Sequence, residues 1–391
     1  MASADSLPDP TLDLETVRDR FEQSRDFTVS IEEEFAIVDP VSLELVDRFE
    51  DLRAAALEDD VLADSVKGEL IASEIEIRSG ESASFEDLIG RQEDRRLRLF
   101  TLAREKGVAL AALGTHPWAN YLDQRIIDTP HYQRLQRELR WVAQRNNTWS
   151  VHLHMGIRGA DRAISVCDHL RGLLPLLLAA SANSPFLDGR DTGLHSVRTE
   201  IFTRVFPRCG IPDAFGTWDA YARFVDQLRR TGSIVESTQI WWSIRPHHAF
   251  GTVEVRICDA QSRGGESFGL TALIAACIAQ SALDYDDGGL QSPQPDREIE
   301  ENLWRAIRYG VTGRMIDFSE GKEIETKRAI ERLVDWTEPA RDALGLDVPA
   351  IESNGAERLR AAVAEGATIR EAYAASIEDT AMTYVPERVV G

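Results

Sequence analysis

Five stretches of the chain alternate apolar and polar residues with period two, which places residues two apart on one face of a strand. Over residues 28–38, Val29, Ile31, Phe35 and Ile37 oppose Thr28, Ser30, Glu32 and Glu34. Over 70–80, Ile71, Ile75 and Ile77 oppose Glu74, Glu76 and Arg78. Over 150–157, Val151, Leu153, Met155 and Ile157 oppose His152 and His154. Ile240, Trp242 and Ile244 oppose Gln239, Trp241, Ser243 and Arg245 over 239–246, and Val253, Val255 and Ile257 oppose Glu254 and Arg256 over 251–259. Glu33 alone breaks the first pattern on the apolar side, which suggests a position near a sheet edge. A sheet with one covered and one open face is typically antiparallel, so the pattern predicts an α+β fold whose open face carries carboxylates, imidazoles and guanidiniums.

Between the strands, apolar residues spaced by three and four predict helices over 85–107, 131–145, 162–181, 217–231, 267–283, 297–309 and 322–343, with Thr217 as an N-cap. The clearest break is the turn-rich, acidic stretch 284–300. The expected organisation is an N-terminal leader and short helix over 1–25, then a single catalytic domain over 26–391, of which 296–391 is a mainly helical C-terminal part.

Composition narrows the function classes. The 391 residues are 43% apolar, enough for a sizeable core. The longest apolar run, residues 172–180, stops at Ser181, far short of a membrane span. The first ten residues lack a basic region followed by an apolar one, so a cytoplasmic location is expected. A net charge of -22 argues against nucleic-acid and anionic-membrane partners and for small-molecule substrates. Cys167, Cys209, Cys258 and Cys277 lack metal-ligand spacing and read as reduced thiols. A homo-oligomer is left open.

Glutamates at i and i+2 on a strand stand about 6.5–7 Å apart, close enough to hold neighbouring metal ions about 3.5–4 Å apart. Glu32 and Glu34 have that spacing, and Glu76 and Glu254 from other strands, with His152, can complete the shells that Mg2+ or Mn2+ prefers. Without a cation, so many facing acids would repel each other. Arg256 and Arg245 suit anionic oxygens, because a planar guanidinium grips phosphate or carboxylate through two hydrogen bonds. Metals and arginines on one open sheet suggest phosphoryl transfer from a metal-bound nucleotide. Each motif alone also fits a solvated sheet face or a cross-strand salt bridge. Only their joint occurrence is specific.

The segments SIEEEFAIVDP (30–40), GTHPWA (114–119), SVHLHMGI (150–157), SANSPFLDGRDTG (181–193) and IRPHHAFGTVEVRICDA (244–260) resemble, in this order, the type 2 glutamate–cysteine ligases, also called carboxylate–amine ligases. The resemblance spans roughly residues 26–310. The order E-x-E, H-x-H, E-x-R is also similar to the glutamine synthetase-like superfamily, which implies a curved antiparallel sheet with helices on one face and an open active-site face. The implied activity is ATP-dependent: a glutamate-like carboxylate is phosphorylated, and an amine such as cysteine displaces the phosphate to form an amide. Carried over by position, Glu32, Glu34, Glu76, His152 and Glu254 would be metal ligands. Arg256 and Arg245 would be catalytic contacts to phosphate, and His154 and Arg198 would contact substrate. Ser30 stands where the family usually has Gly, and Glu74 where it more often has Gln. The competing readings are a phosphotransferase acting on guanidino compounds and an inactive nucleotide- or metal-binding homologue.

Overall fold

In the computed structural model, which describes residues 10–385, the alternating segments assemble into one sheet. Its strands are β1 (Val29–Val38), β2 (Val66–Lys67), β3 (Glu74–Arg78), β4 (Ala109–Ala111), β5 (Val151–Gly156), β6 (Ile244–His247) and β7 (Thr252–Val255). The order across the sheet is β6-β7-β5-β1-β3-β2, with β4 pairing β1, and every pairing is antiparallel. The register aligns Glu32 with His152 and Arg78, Glu34 with Glu76, and Glu254 with both His154 and Arg245. Chemistry-bearing residues from five strands therefore share one face.

The opposite face is covered. Ile31, Leu153, Met155, Val253 and Val255 are buried with Ile164, Leu170, Leu177, Leu273 and Ile278 from the helices Ala160–Leu170, Leu174–Ser181 and Gly264–Asp286. Phe35, Ile75 and Ile77 pack with Leu99 and Phe100 of the helix Phe85–Glu105 and with Tyr384 of the last helix, Ile369–Tyr384. The short helix Leu14–Glu22 is capped by Asp13 and buries Val17 and Phe21 against this layer. Residues 1–9 of the expected leader and the last residues, 386–391, lie outside the described ones.

Several expectations need correction. Glu33 is not near an edge, because β1 is flanked by β5 and β3. It faces the helices and is buried with Arg96, whose Nε donates to it at 2.7 Å, and with Gln92 at 2.8 Å. The expected strand 239–246 is broken at Ser243, and Trp241–Trp242 instead pairs in parallel with Cys209–Gly210. Of the stretch 70–80, only Glu74–Arg78 is strand. The predicted helix 162–181 is two helices bent by 61°, with Pro175, which has no N–H to donate, in the first turn of the second. The predicted helix 131–145 breaks at Arg140 (φ 55). Lys322–Glu325, expected as helix, is a strand paired with Arg314–Asp317 across a turn that holds Gly321 at φ 63. Finally, the helix Gly264–Asp286 is long and apolar enough to cross a bilayer, which a count of uninterrupted apolar residues does not detect. Most of that helix is buried inside the fold. Thr217 caps the helix Trp218–Arg230, accepting from Ala220 N–H at 3.3 Å, as expected.

Candidate active site

The polar face of the sheet floors a cavity of about 380 Å³. Glu32, Glu34, Glu76, His152, Arg198, Arg245, Glu254 and Arg256 all line it. His154 lies underneath. It is buried, its Nδ1 is 3.1 Å from Thr252 Oγ1, and its Nε2 sits 3.5 Å from Glu32 Oε1 and 3.6 Å from Glu254 Oε1. It therefore lies beneath the cavity floor, between two carboxylates, rather than on the cavity surface.

Glu254 has no exposed surface and is held between two arginines. Arg245 Nε donates to Glu254 Oε2 at 2.5 Å, and Arg256 donates to Oε1. Burial alone would raise the Glu254 carboxyl, but Arg245 and Arg256 hold it well below the usual carboxylate range. Arg245 also donates to the Ile240 carbonyl at 2.5 Å, so its donors are largely committed within the fold. Arg256 keeps a buried Nε with no hydrogen-bond partner. Arg198 sits in the first turn of the helix Val197–Val205, and it donates to the Ile257 carbonyl at 3.0 Å beside Asp259 at 3.5 Å.

Glu32 is likewise ionised. Burial works against its charge, yet Arg78, 3.2 Å away, and His154 keep its carboxyl well below the usual range. His152 bridges the two halves of the site: Nδ1 is 3.1 Å from Glu32 Oε2 and Nε2 is 2.8 Å from Ser150 Oγ. Burial, reinforced by Arg256, pushes His152 down to about 3, so the imidazole is neutral and able to ligate. Ser150 donates to Glu34 through its backbone N–H at 2.5 Å and its hydroxyl at 2.7 Å.

Toward β3 the balance reverses. Burial and then Glu76 push Glu34 up to about 7, and burial and then Glu34 do the same to Glu69. Glu74 and Glu76 are raised well above the usual range, by burial first and then by their carboxylate neighbours. Arg78, paired with Glu76 and Glu32, is the main compensating cation here. This end of the cavity gathers more carboxyl groups than its arginines can compensate, so without a cation the groups retain protons there.

The donor set fits divalent cations. One ligand atom from each of Glu32, His154 and Glu254 lies within 4.8 Å of the other two, and the same holds for Glu32, Glu76 and His152. His154 Nε2 and Glu74 Oε2 are buried and lack any hydrogen-bond partner, which costs free energy unless something else satisfies them. Buried carboxylates and a neutral imidazole are ligands for Mg2+ or Mn2+.

Sequence reasoning missed part of the site. Glu69, Tyr132 and Phe250 line the cavity from segments outside the alternating strands or from a hairpin tip, where no periodicity marks them, whereas His247 continues the polar alternation of β6 one step beyond Arg245. Arg78 and Glu74 lie on the polar face that the alternation identifies, but no role is assigned to them from sequence.

Comparison with known proteins decides the family. The description of glutamate–cysteine ligase family 2 (GCS2) matches residues 28–379. The chain belongs to this family. A relative from Rubrobacter xylanophilus, provisionally named glutamate–cysteine ligase 2-2, is 36% identical over 88% of this chain and 89% of its own. A relative from Gloeobacter violaceus, provisionally named glutamate–cysteine ligase 2, is also 36% identical, over 87% and 93%. Among solved structures, the glutamate–cysteine ligase of Francisella tularensis in complex with AMP superposes with a TM-score of 0.65 at 12% identity, covering 93% of this chain and 90% of its own. A bifunctional glutathione synthetase from Pasteurella multocida gives 0.64 at 10% identity, covering 95% of this chain and 54% of that one. At these identities the structural likeness establishes the shared fold: an antiparallel sheet with helices on one face. As a member of glutamate–cysteine ligase family 2, the chain is assigned to the ligases.

Proposed function

We propose that this protein is an ATP-dependent carboxylate–amine ligase that joins the side-chain carboxylate of glutamate, or a close analogue, to an amine such as cysteine. The observation that carries the reading is the meeting of Glu32, Glu34, Glu76, His152, His154 and Glu254 with Arg245 and Arg256 around one cavity. In the first step the γ-phosphoryl group passes from ATP to the carboxylate, giving an acyl phosphate and ADP. In the second, the neutral amine attacks the acyl carbon, inorganic phosphate leaves with the bridging oxygen, and the nitrogen loses a proton as the amide forms.

The residues divide the work by charge. Glu32, Glu76 and His152 would hold one divalent cation, and Glu32, His154 and Glu254 a second, with Glu34 beside them. Bound there, Mg2+ or Mn2+ would neutralise charge on the phosphate oxygens. Arg256, with its unpartnered Nε, would meet the transferring phosphoryl group. Arg245 would chiefly fix Glu254. Arg198, braced by the Ile257 carbonyl, would orient an anionic end of a substrate.

The test is ADP release with Mg2+ or Mn2+ across an amine panel, with product masses measured. The reading expects release that requires both glutamate and an amine, and a product at the mass of the amide. A stable phosphorylated acceptor would favour a guanidino-type phosphotransferase instead. No turnover with any pair would leave a binding homologue.

A further inference from the structure

The tip of the β6–β7 hairpin carries an aromatic pair that the proposed chemistry does not use. Phe250 lines the cavity yet is 52% exposed. Its ring lies nearly parallel to that of His247, with centroids 4.4 Å apart and an interplanar angle of 17°. It also meets His154 edge-on at 5.6 Å, and His154 in turn faces Glu32 and Glu254. A large apolar ring is thus held at the open margin of a polar cavity, one imidazole away from the carboxylates. With half of it exposed, the ring forgoes part of the free energy that burial would give. A planar aromatic ligand laid against it would recover much of that.

The tip is also rigid. Gly251, at φ 65, donates to the His247 carbonyl at 2.9 Å, and its own carbonyl accepts from Ser24 Oγ at 2.9 Å. Arg20 donates to the His248 carbonyl, and the His248 ring meets Tyr221 Oη at 2.5 Å. A Cβ at position 251 would come within 3.2 Å of Arg20. Phe250 is therefore presented on a turn fixed in advance, which lowers the entropy cost of binding.

We propose that Phe250, backed by His247, is the stacking platform for the purine base of the nucleotide, whose phosphates then run inward to Arg256 and the carboxylate cluster. This rests on the ligase reading. Among the phenylalanine, tyrosine and tryptophan rings that line the cavity, Phe250 presents the most free surface: Phe206 is buried, and Tyr132, Phe202 and Trp241 are only partly exposed.

The experiment measures, by calorimetry on the full chain with Mg2+, binding of a non-hydrolysable ATP analogue and of inorganic tripolyphosphate, which has no base. The variants are Phe250→Ala, Phe250→Trp and Phe202→Ala. The platform predicts that Phe250→Ala weakens the analogue about tenfold or more, the scale of one base–aromatic stack. Tripolyphosphate affinity should be unchanged, and Phe250→Trp should restore the analogue. An unaltered analogue affinity in Phe250→Ala, an equal loss of both ligands, or a loss confined to Phe202→Ala would overturn the proposal. Wild-type protein that binds both ligands equally well would sink the platform alone. Wild-type protein that binds neither would sink the nucleotide-dependent reading and the platform with it.

Discussion

Glu254 concentrates the physics of the site in one side chain. A carboxylate with no exposed surface persists as an anion only if charges and hydrogen bonds replace water. Here Arg245 and Arg256 do so, and the same oxygen that Arg256 binds lies 3.6 Å from His154. Glu254→Gln keeps the shape and removes the charge. It should lower turnover about 10²–10³-fold or more, the scale for losing a preorganised electrostatic contact, and should weaken Mn2+ binding in a titration of the same preparation. An enzyme with wild-type rate would refute the assigned role. The strand residues of the site were legible in the sequence because period two fixes their faces. Glu32, Glu34, Glu76, His152, Arg245, Glu254 and Arg256 therefore share a cavity as the alternation predicts. The depth of His154 was not legible, since the same alternation gives a face but not a distance from the surface. Glu69 and Phe250 lie where no periodicity applies.

At the scale of elements, the site depends on β1 keeping its register, and Glu33 clamps the reverse side of that strand. Arg96 pairs with it bidentately while its guanidinium lies 3.7 Å from the Phe268 ring centroid and 4.4 Å from that of Tyr384. Ser267 also donates to Glu33, so two helices hold one strand residue directly, and Tyr384 of a third packs on Arg96. Removing one partner leaves an uncompensated buried charge. Arg96→Met should cost about 3–5 kcal/mol by chemical denaturation, and adding Glu33→Met should recover most of that. A single variant as stable as wild type would contradict the clamp. This pair explains why Glu33 was misread: a buried ion pair across layers looks, in one strand's sequence, like an edge residue. Helix boundaries failed for a similar reason. The breaks near Pro175 and Arg140 are set by backbone chemistry that apolar spacing does not register.

Across the whole molecule, the distribution of charge makes stability depend on pH and metal together. Burial lowers His152 to about 3, and His116 and His195 to about 4, so these groups add stability as pH rises, an effect complete above their unfolded value of 6.5. Glu34 and Glu69, raised from 4.5 to about 7, act in the opposite sense, as do Glu74 and Glu76. Their folded forms hold protons that the unfolded chain has released, so stability falls as pH rises toward and through 7. Between pH 7.5 and 8.5 the imidazole effect is all but complete, and the carboxylate effect, carried mainly by Glu74 and Glu76, remains. Metal-free protein should lose about 1–3 kcal/mol over that interval, and Mg2+ should abolish the loss by replacing the protons. Denaturation curves at both pH values, with chelator and with Mg2+, check this, and a stability that rises with pH in chelator would contradict it. The most direct measurement of the central claim is anomalous diffraction from crystals grown with Mn2+ and an ATP analogue. Manganese peaks are expected bounded by Glu32, His154 and Glu254 and by Glu32, Glu76 and His152. Ordered nucleotide with no manganese in that cavity, or manganese bound only elsewhere on the protein, would contradict it.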